Sequence, residues 1–124
     1  MPVILCVDDD RNGLALRKLM LESKGYVVVA ASSGPAGIQL SRRVSVDAVV
    51  LDFEMPGMDG EQVARVLRRE RPTLPIVLLS GSGDVPKSVL SMVNEYLQKD
   101  SSELIELLDG ALLRLTEKSY GRAA

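Results

Sequence analysis

Residues 48–60 read Ala48-Val49-Val50-Leu51-Asp52-Phe53-Glu54-Met55-Pro56-Gly57-Met58-Asp59-Gly60. Four apolar residues end at a carboxylate and give way to a loop shaped by proline and glycine. An apolar run without polar alternation suits a strand covered on both faces, as in a parallel sheet packed between helices. Pro56 and Gly57 are turn formers, and Met55 and Met58 are pliable enough to fill irregular space around the turn. The same grammar recurs outward from this block, with short apolar runs at residues 3–7, 26–31, 76–79 and, weakly, 96–97. Between the runs lie segments marked at helical spacing. Leu16, Leu19, Met20 and Ser23 mark the first, Val63, Ala64 and Leu67 the third, and Leu104, Leu108, Ala111, Leu112 and Leu115 the last.

The punctuation agrees. Gly25 closes the first helix, Ser33-Gly34-Pro35 opens the second, and Arg71-Pro72 ends the third. Ser101-Ser102 offers a cap for the last helix, with Glu103 and Glu106 placed to favour its dipole. Five strand-then-helix units with doubly covered strands predict an α/β fold, a (βα)5 doubly wound parallel five-stranded sheet. A single domain over residues 1–118 is expected, followed by a short polar tail at 119–124 that frays.

Composition narrows the function. The chain has 124 residues, 46% hydrophobic and 26% charged, with a formal net charge of −2. That balance argues against direct nucleic-acid binding, which needs a basic face to displace counterions. The arginines at 42, 43, 65, 68, 69 and 71 read as solvated helix faces. No run is long enough for a membrane span, and no leader pattern opens the chain, so a cytoplasmic setting is expected. The lone Cys6 lies within an apolar run and reads as a small core hydrophobe. With no histidine in the chain, a histidine-based triad, a histidine metal site and a phosphohistidine carrier are all excluded.

In open parallel α/β sheets, ligands bind beyond the carboxyl ends of the strands. Here Asp8, Asp9 and Asp10 follow the first run, Asp52 the third, Ser80 the fourth and Lys99 the fifth. Two carboxylates about 4 Å apart repel by roughly 4 kcal/mol at an effective dielectric near 20. Asp8, Asp9 and Asp52 therefore call for a cation or a retained proton. An all-oxygen donor set selects a hard ion, and Mg²⁺, which prefers to share its shell with phosphate oxygens, is the natural candidate. Lys99 then supplies a point charge for the phosphate and Ser80 a hydroxyl donor.

On these residues the chain resembles the receiver domain of two-component response regulators, over nearly its whole length. The likeness is carried by residues 3–10, by Ala48 through Gly60 with its Asp52-x-x-Met55-Pro56-x-Met58-Asp59-Gly60 core, by Pro75 through Gly81, and by Tyr96-Leu97-Gln98-Lys99. The resemblance implies a flavodoxin-like strand order of 2-1-3-4-5. It implies that Asp52 is the phosphoacceptor, and that Asp8, Asp9, Asp52 and the backbone carbonyl of Glu54 hold Mg²⁺. Ser80 matches the switch hydroxyl, Lys99 the phosphate-pairing lysine and Tyr96 the aromatic switch residue. The implied phosphodonor is a sensor histidine kinase or a histidine phosphotransfer protein, and the implied output is docking to a downstream protein. Such a domain catalyses only its own phosphorylation and dephosphorylation.

Two departures stand out. Asp100 follows Lys99 where many receivers have proline, and only a short fourth helix, starting near Asp84-Val85-Pro86 and ending before Asn94, fits between Ser80 and Lys99. A remodelled output face is expected. Two other readings compete. One is a pseudo-receiver that binds partners without being phosphorylated. The other is a haloacid-dehalogenase-like phosphatase built on Asp8-x-Asp10, which leaves Asp52 and its loop unexplained.

Overall fold

The computed structural model describes residues 1–81 and 83–123, with side chains through Thr116. Strands and helices alternate: β1 (Val3–Val7), α1 (Arg11–Ser23), β2 (Val27–Ala31), α2 (Gly34–Arg43), β3 (Ala48–Asp52), α3 (Gly60–Glu70), β4 (Ile76–Ser80), α4 (Lys87–Leu90), β5 (Glu95–Gln98) and α5 (Leu104–Ala123). The five strands form one parallel sheet in the order β2-β1-β3-β4-β5, as the resemblance implied. No described helix is long and apolar enough to cross a membrane. The expected polar tail at 119–124 falls outside the described side chains.

The unbroken apolar runs have a simple origin. Successive strand residues point to opposite faces of the sheet, and both faces are covered. Ile4, Cys6, Val50, Val77 and Leu79 pack with Leu14, Leu21, Leu108 and Leu112 beneath α1 and α5. Leu5, Val49, Leu51, Ile76 and Leu78 pack with Ile38, Val63, Leu67 and Val89 beneath α2, α3 and α4. Each fully buried leucine contributes roughly 2 kcal/mol of transfer free energy to this double core. The helix starts are fixed by side chains: Asp10 accepts from the Gly13 N–H, Ser33 from Ala36, and Asp59 forms a reciprocal capping box with Gln62. Gly25, at φ +100°, ends the turn after α1 in the conformation that glycine alone adopts without strain.

Helix α1 corrects one expectation. Leu16 and Leu19 are 59% and 65% exposed, and the buried face is Leu14, Arg17 and Leu21. The most apolar stripe of this helix is not its core stripe, because the central core-facing position is occupied by an arginine. A second correction concerns the arginines. Arg68 is not a solvated face. Its guanidinium donates to the carbonyls of Met92, Pro72 and Leu74 and to Asn94 Oδ1 at 2.8–3.1 Å. Asn94 in turn accepts from the Ile76 N–H at 2.9 Å. The expected short fourth helix is a single turn, Lys87–Leu90, so little repetitive backbone bonding holds this region. Arg68 supplies the missing links by tying the chain before β5 to α3 and β4.

Candidate functional site

The strand ends converge as the sequence implied. Asp8 leaves β1 fully buried, with Asp9 beside it exposed. Asp52 ends β3 at 1% exposure, Ser80 ends β4 fully buried, and Lys99 follows β5. The register fixes their mutual height: Asp52 pairs with Leu79, Ser80 with Gln98, and the Lys99 N–H donates to the Ser80 carbonyl at 2.9 Å. Lys99 Nζ lies 3.0 Å from Asp8 Oδ2 and 3.1 Å from Asp52 Oδ2, bridging the two buried acids. One oxygen from each of Asp8, Asp9 and Asp52 lies within 4.8 Å of the others.

The acids are not equivalent. Burial raises Asp8, but the Asp10 N–H, Lys99 and Arg17 outweigh it and hold its pKa below the usual carboxylate range. Asp52 is pushed up to about 6, first by burial and then by the negative charge of Asp8, with Lys99 opposing both. Lys99 is held above its ordinary value because its contacts with Asp8 and Asp52 outweigh the cost of burial. Both carboxylate oxygens of Asp52 are buried; Oδ2 is paired with Lys99 Nζ at 3.1 Å, and Oδ1 has no hydrogen-bond partner among the described residues. A buried carboxylate left in this state is costly, and it is the atom set best placed to take a cation or an electrophile.

Two participants were not read from the sequence. Arg17 reaches from α1 to Asp8 Oδ2 at 3.1 Å, with its side chain buried. The signal was present in the spacing, since Arg17 stands three residues after Leu14 and four before Leu21 on one helix face. Glu54 was read only for its backbone carbonyl. Its side chain accepts from Ser80 Oγ at 2.5 Å and from the Gly81 N–H at 2.9 Å, so an internal carboxylate occupies both donors. No spacing rule in the sequence points to that contact. Tyr96 is half-buried on β5, opposite Leu78, and packs against the α2–α4 core. Cys6 is fully buried and its thiol is pushed up to about 12, chiefly by burial, which makes it a core residue and no nucleophile at neutral pH.

The loop that carries Glu54 is held close by Gly60. The Gly60 N–H donates to the Phe53 carbonyl at 2.9 Å, and α3 starts directly against the exit of β3.

Comparison with known proteins gives the same reading. The response regulator receiver domain family matches residues 4–109. Transcriptional regulatory protein GlrR of Escherichia coli (strain K12) is 37% identical over 114 residues, covering 88% of this chain and 26% of GlrR. The chain thus spans about a quarter of that relative's length. A response regulator receiver domain protein from Clostridium thermocellum has a solved structure with a TM-score of 0.87 at 28% identity, covering 97% of this chain and 98% of its own. Response regulator TrrA from Thermotoga maritima, solved in complex with Mg²⁺ and BeF, gives a TM-score of 0.81 at 31% identity, covering 90% of this chain and 99% of its own. The strand order, the acids at the strand ends and a family match from within β1 into α5 agree, and the chain belongs to the response regulator receiver domain family.

Proposed function

We propose that Asp52 accepts a phosphoryl group, in the presence of Mg²⁺, from the phosphohistidine of a sensor histidine kinase or a histidine phosphotransfer protein. The observation that carries this reading is the Asp52 carboxylate itself: buried, short of hydrogen bonds, paired with Lys99 and close enough to Asp8 and Asp9 to share a cation with them. In the transfer, an Asp52 oxygen attacks phosphorus as the bond from phosphorus to the donor imidazole breaks, and the electron pair returns to the imidazole nitrogen. Such a reaction needs positioning and charge neutralisation more than covalent help. Asp8, Asp9, Asp52 and the Glu54 carbonyl are the groups proposed to hold Mg²⁺. The all-oxygen donor set and the buried, unpartnered Oδ1 of Asp52 fit that ion, and the complex solved for TrrA supports it. Bound there, the ion would neutralise charge on the phosphoryl oxygens.

Lys99 then pairs with the phosphoryl group, and Ser80 turns its hydroxyl toward it. Tyr96 is the residue proposed to follow Ser80, biasing a two-state equilibrium that a downstream protein reads. The domain turns over no substrate besides its own phosphoryl group, and its partners are proteins. A cytoplasmic setting suits a chain whose one cysteine is buried and free.

Incubation with acetyl phosphate and Mg²⁺, followed by intact mass measurement, tests this directly. One phosphoryl adduct is expected, lost on addition of chelator. No adduct under any donor condition would favour a pseudo-receiver. Sustained hydrolysis of a phosphomonoester would favour a phosphatase.

Glu54 refines the expectation. Ser80 Oγ and the Gly81 N–H are aimed at its carboxylate, so the phosphoryl oxygens must displace a like charge to gain those donors. Glu54→Gln removes the charge while keeping an acceptor in place. A unit charge a few ångströms from a developing dianion changes the rate by roughly tenfold at a solvent-screened dielectric. Glu54→Gln is therefore expected to be phosphorylated by acetyl phosphate roughly tenfold faster. An unchanged or slower rate would show that the latch does not oppose the transfer.

A further inference from the structure

The ion pair between Arg17 and Asp8 is not required by the chemistry above. Asp8 Oδ2 already has Lys99 at 3.0 Å, and Asp8 Oδ1 accepts from the Asp10 N–H at 2.9 Å. Arg17 adds a second cation to the same Oδ2, from the α1 side, at 3.1 Å. It does so from the core-facing stripe of α1, between Leu14 and Leu21, where an apolar side chain would be buried without desolvating a charge. A buried ion pair gains little stability over a pair of well-packed apolar residues, although removing one partner alone is costly, so the pair points to another use. The local charge balance shows which. Counting only the three acids that could share a cation and the cations that touch them, Asp8, Asp9 and Asp52 against Lys99 alone leave two negative charges; Arg17 reduces this to one.

We infer that Arg17 is a built-in counter-cation, which holds the Asp8 carboxylate in place in the metal-free protein and holds down the affinity of the pocket for Mg²⁺. The inference rests on the proposed reading of the pocket as a Mg²⁺ site. Arg17 touches Asp8 and not the reacting atoms, so it is a positioning residue. Even at the dielectric of water, a unit charge about 6–7 Å from a divalent ion changes its affinity by roughly tenfold. Lys99 and the Asp10 N–H remain on Asp8 when Arg17 is replaced, so the carboxylate stays available as a ligand.

The test is calorimetric titration of Mg²⁺ into the unmodified chain and into Arg17→Met, which keeps most of the buried stem. Arg17→Met is expected to bind Mg²⁺ about tenfold more tightly. Its melting temperature should fall below that of the parent in chelator and recover at saturating Mg²⁺. Equal affinities, with a melting deficit that Mg²⁺ does not narrow, would reduce Arg17 to an ordinary core ion pair. If neither chain binds Mg²⁺, the metal reading of the pocket fails and this inference fails with it. If Arg17→Met does not fold, the Arg17 Nε–H resonance of the unmodified chain serves instead. It is expected to shift as Mg²⁺ saturates and weakens the pair; saturation without a shift overturns the inference.

Discussion

Asp52→Asn is expected to abolish the phosphoryl adduct and, in metal-free buffer above neutral pH, to make the protein more stable. The two effects share one cause. Asp52 is 1% exposed, its pKa is pushed from an ordinary 3.8 to about 6 by burial and by Asp8 against the opposing pull of Lys99, and its Oδ1 has no hydrogen-bond partner among the described residues. An acid whose folded pKa lies above its unfolded value retains its proton in the folded state while the unfolded chain has lost it. Stability therefore falls as pH rises from about 4 through about 6, and the loss is complete above that interval. A gap of this size corresponds to about 3 kcal/mol. Asparagine has no charge to desolvate, and Lys99 keeps Asp8 as its partner at 3.0 Å. Urea denaturation in chelator at pH 7.5 should show the variant about 2–3 kcal/mol above the parent, with the gap closing at pH 4. A variant less stable than the parent at pH 7.5 would mean that the carboxylate is not burdened as the geometry indicates. An adduct that persists in the variant would move the acceptor elsewhere. Mg²⁺ should stabilise the parent far more than the variant, since a ligand stabilises only the state that binds it.

Much of this site was legible in the sequence because the topology does the assembling. In a parallel sheet every strand ends at the same edge, so residues following the apolar runs must meet there, whatever their separation along the chain. Asp8, Asp52, Ser80 and Lys99 could be brought together on that ground alone, and the resemblance then gave them roles. What escaped had a different physical character. Hydrophobicity alone misassigns the buried face of α1. Arg17 is buried by its charge partner, and Leu16 and Leu19 are left exposed. The Glu54 side chain was missed because a loop conformation decides where it points, and no periodicity governs a loop. Arg68 was read as solvated because its acceptors are mostly backbone carbonyls, which leave no trace in residue identity. Patterns of side-chain type reveal faces and strand ends. They are blind to charges that are satisfied at a distance.

Gly60→Ala is expected to destabilise the fold by about 1–3 kcal/mol and to slow phosphorylation by at least tenfold. A Cβ at Gly60 would lie 2.6 Å from Phe53 Cα, 2.8 Å from the Asp52 carbonyl oxygen and 3.1 Å from the Phe53 carbonyl oxygen. All three are backbone atoms, so no side chain can swing aside. Relief requires the start of α3 to move away from the exit of β3. That start is pinned by the Gly60 N–H on the Phe53 carbonyl at 2.9 Å and by the Asp59–Gln62 capping box, so the move strains or breaks those bonds. The functional cost follows because Asp52 and Glu54 flank the Phe53 backbone that the new Cβ presses against, and a shift of about 1 Å in a reacting group can cost a hundredfold in rate. Gly81→Ala is the matched control in the same site. Among the described residues beyond its chain neighbours, a Cβ there would meet only the Glu54 Oε1 atom, at an ordinary 3.7 Å, and the N–H that Glu54 accepts is retained. Its stability should stay within about 0.5 kcal/mol of the parent. If chemical denaturation finds the two variants equally stable, the close approach of α3 to β3 is softer than the backbone distances imply. If Gly60→Ala loses stability but keeps its phosphorylation rate, the acid loop holds its geometry independently of α3, and the constraint on Asp52 must come from the sheet alone.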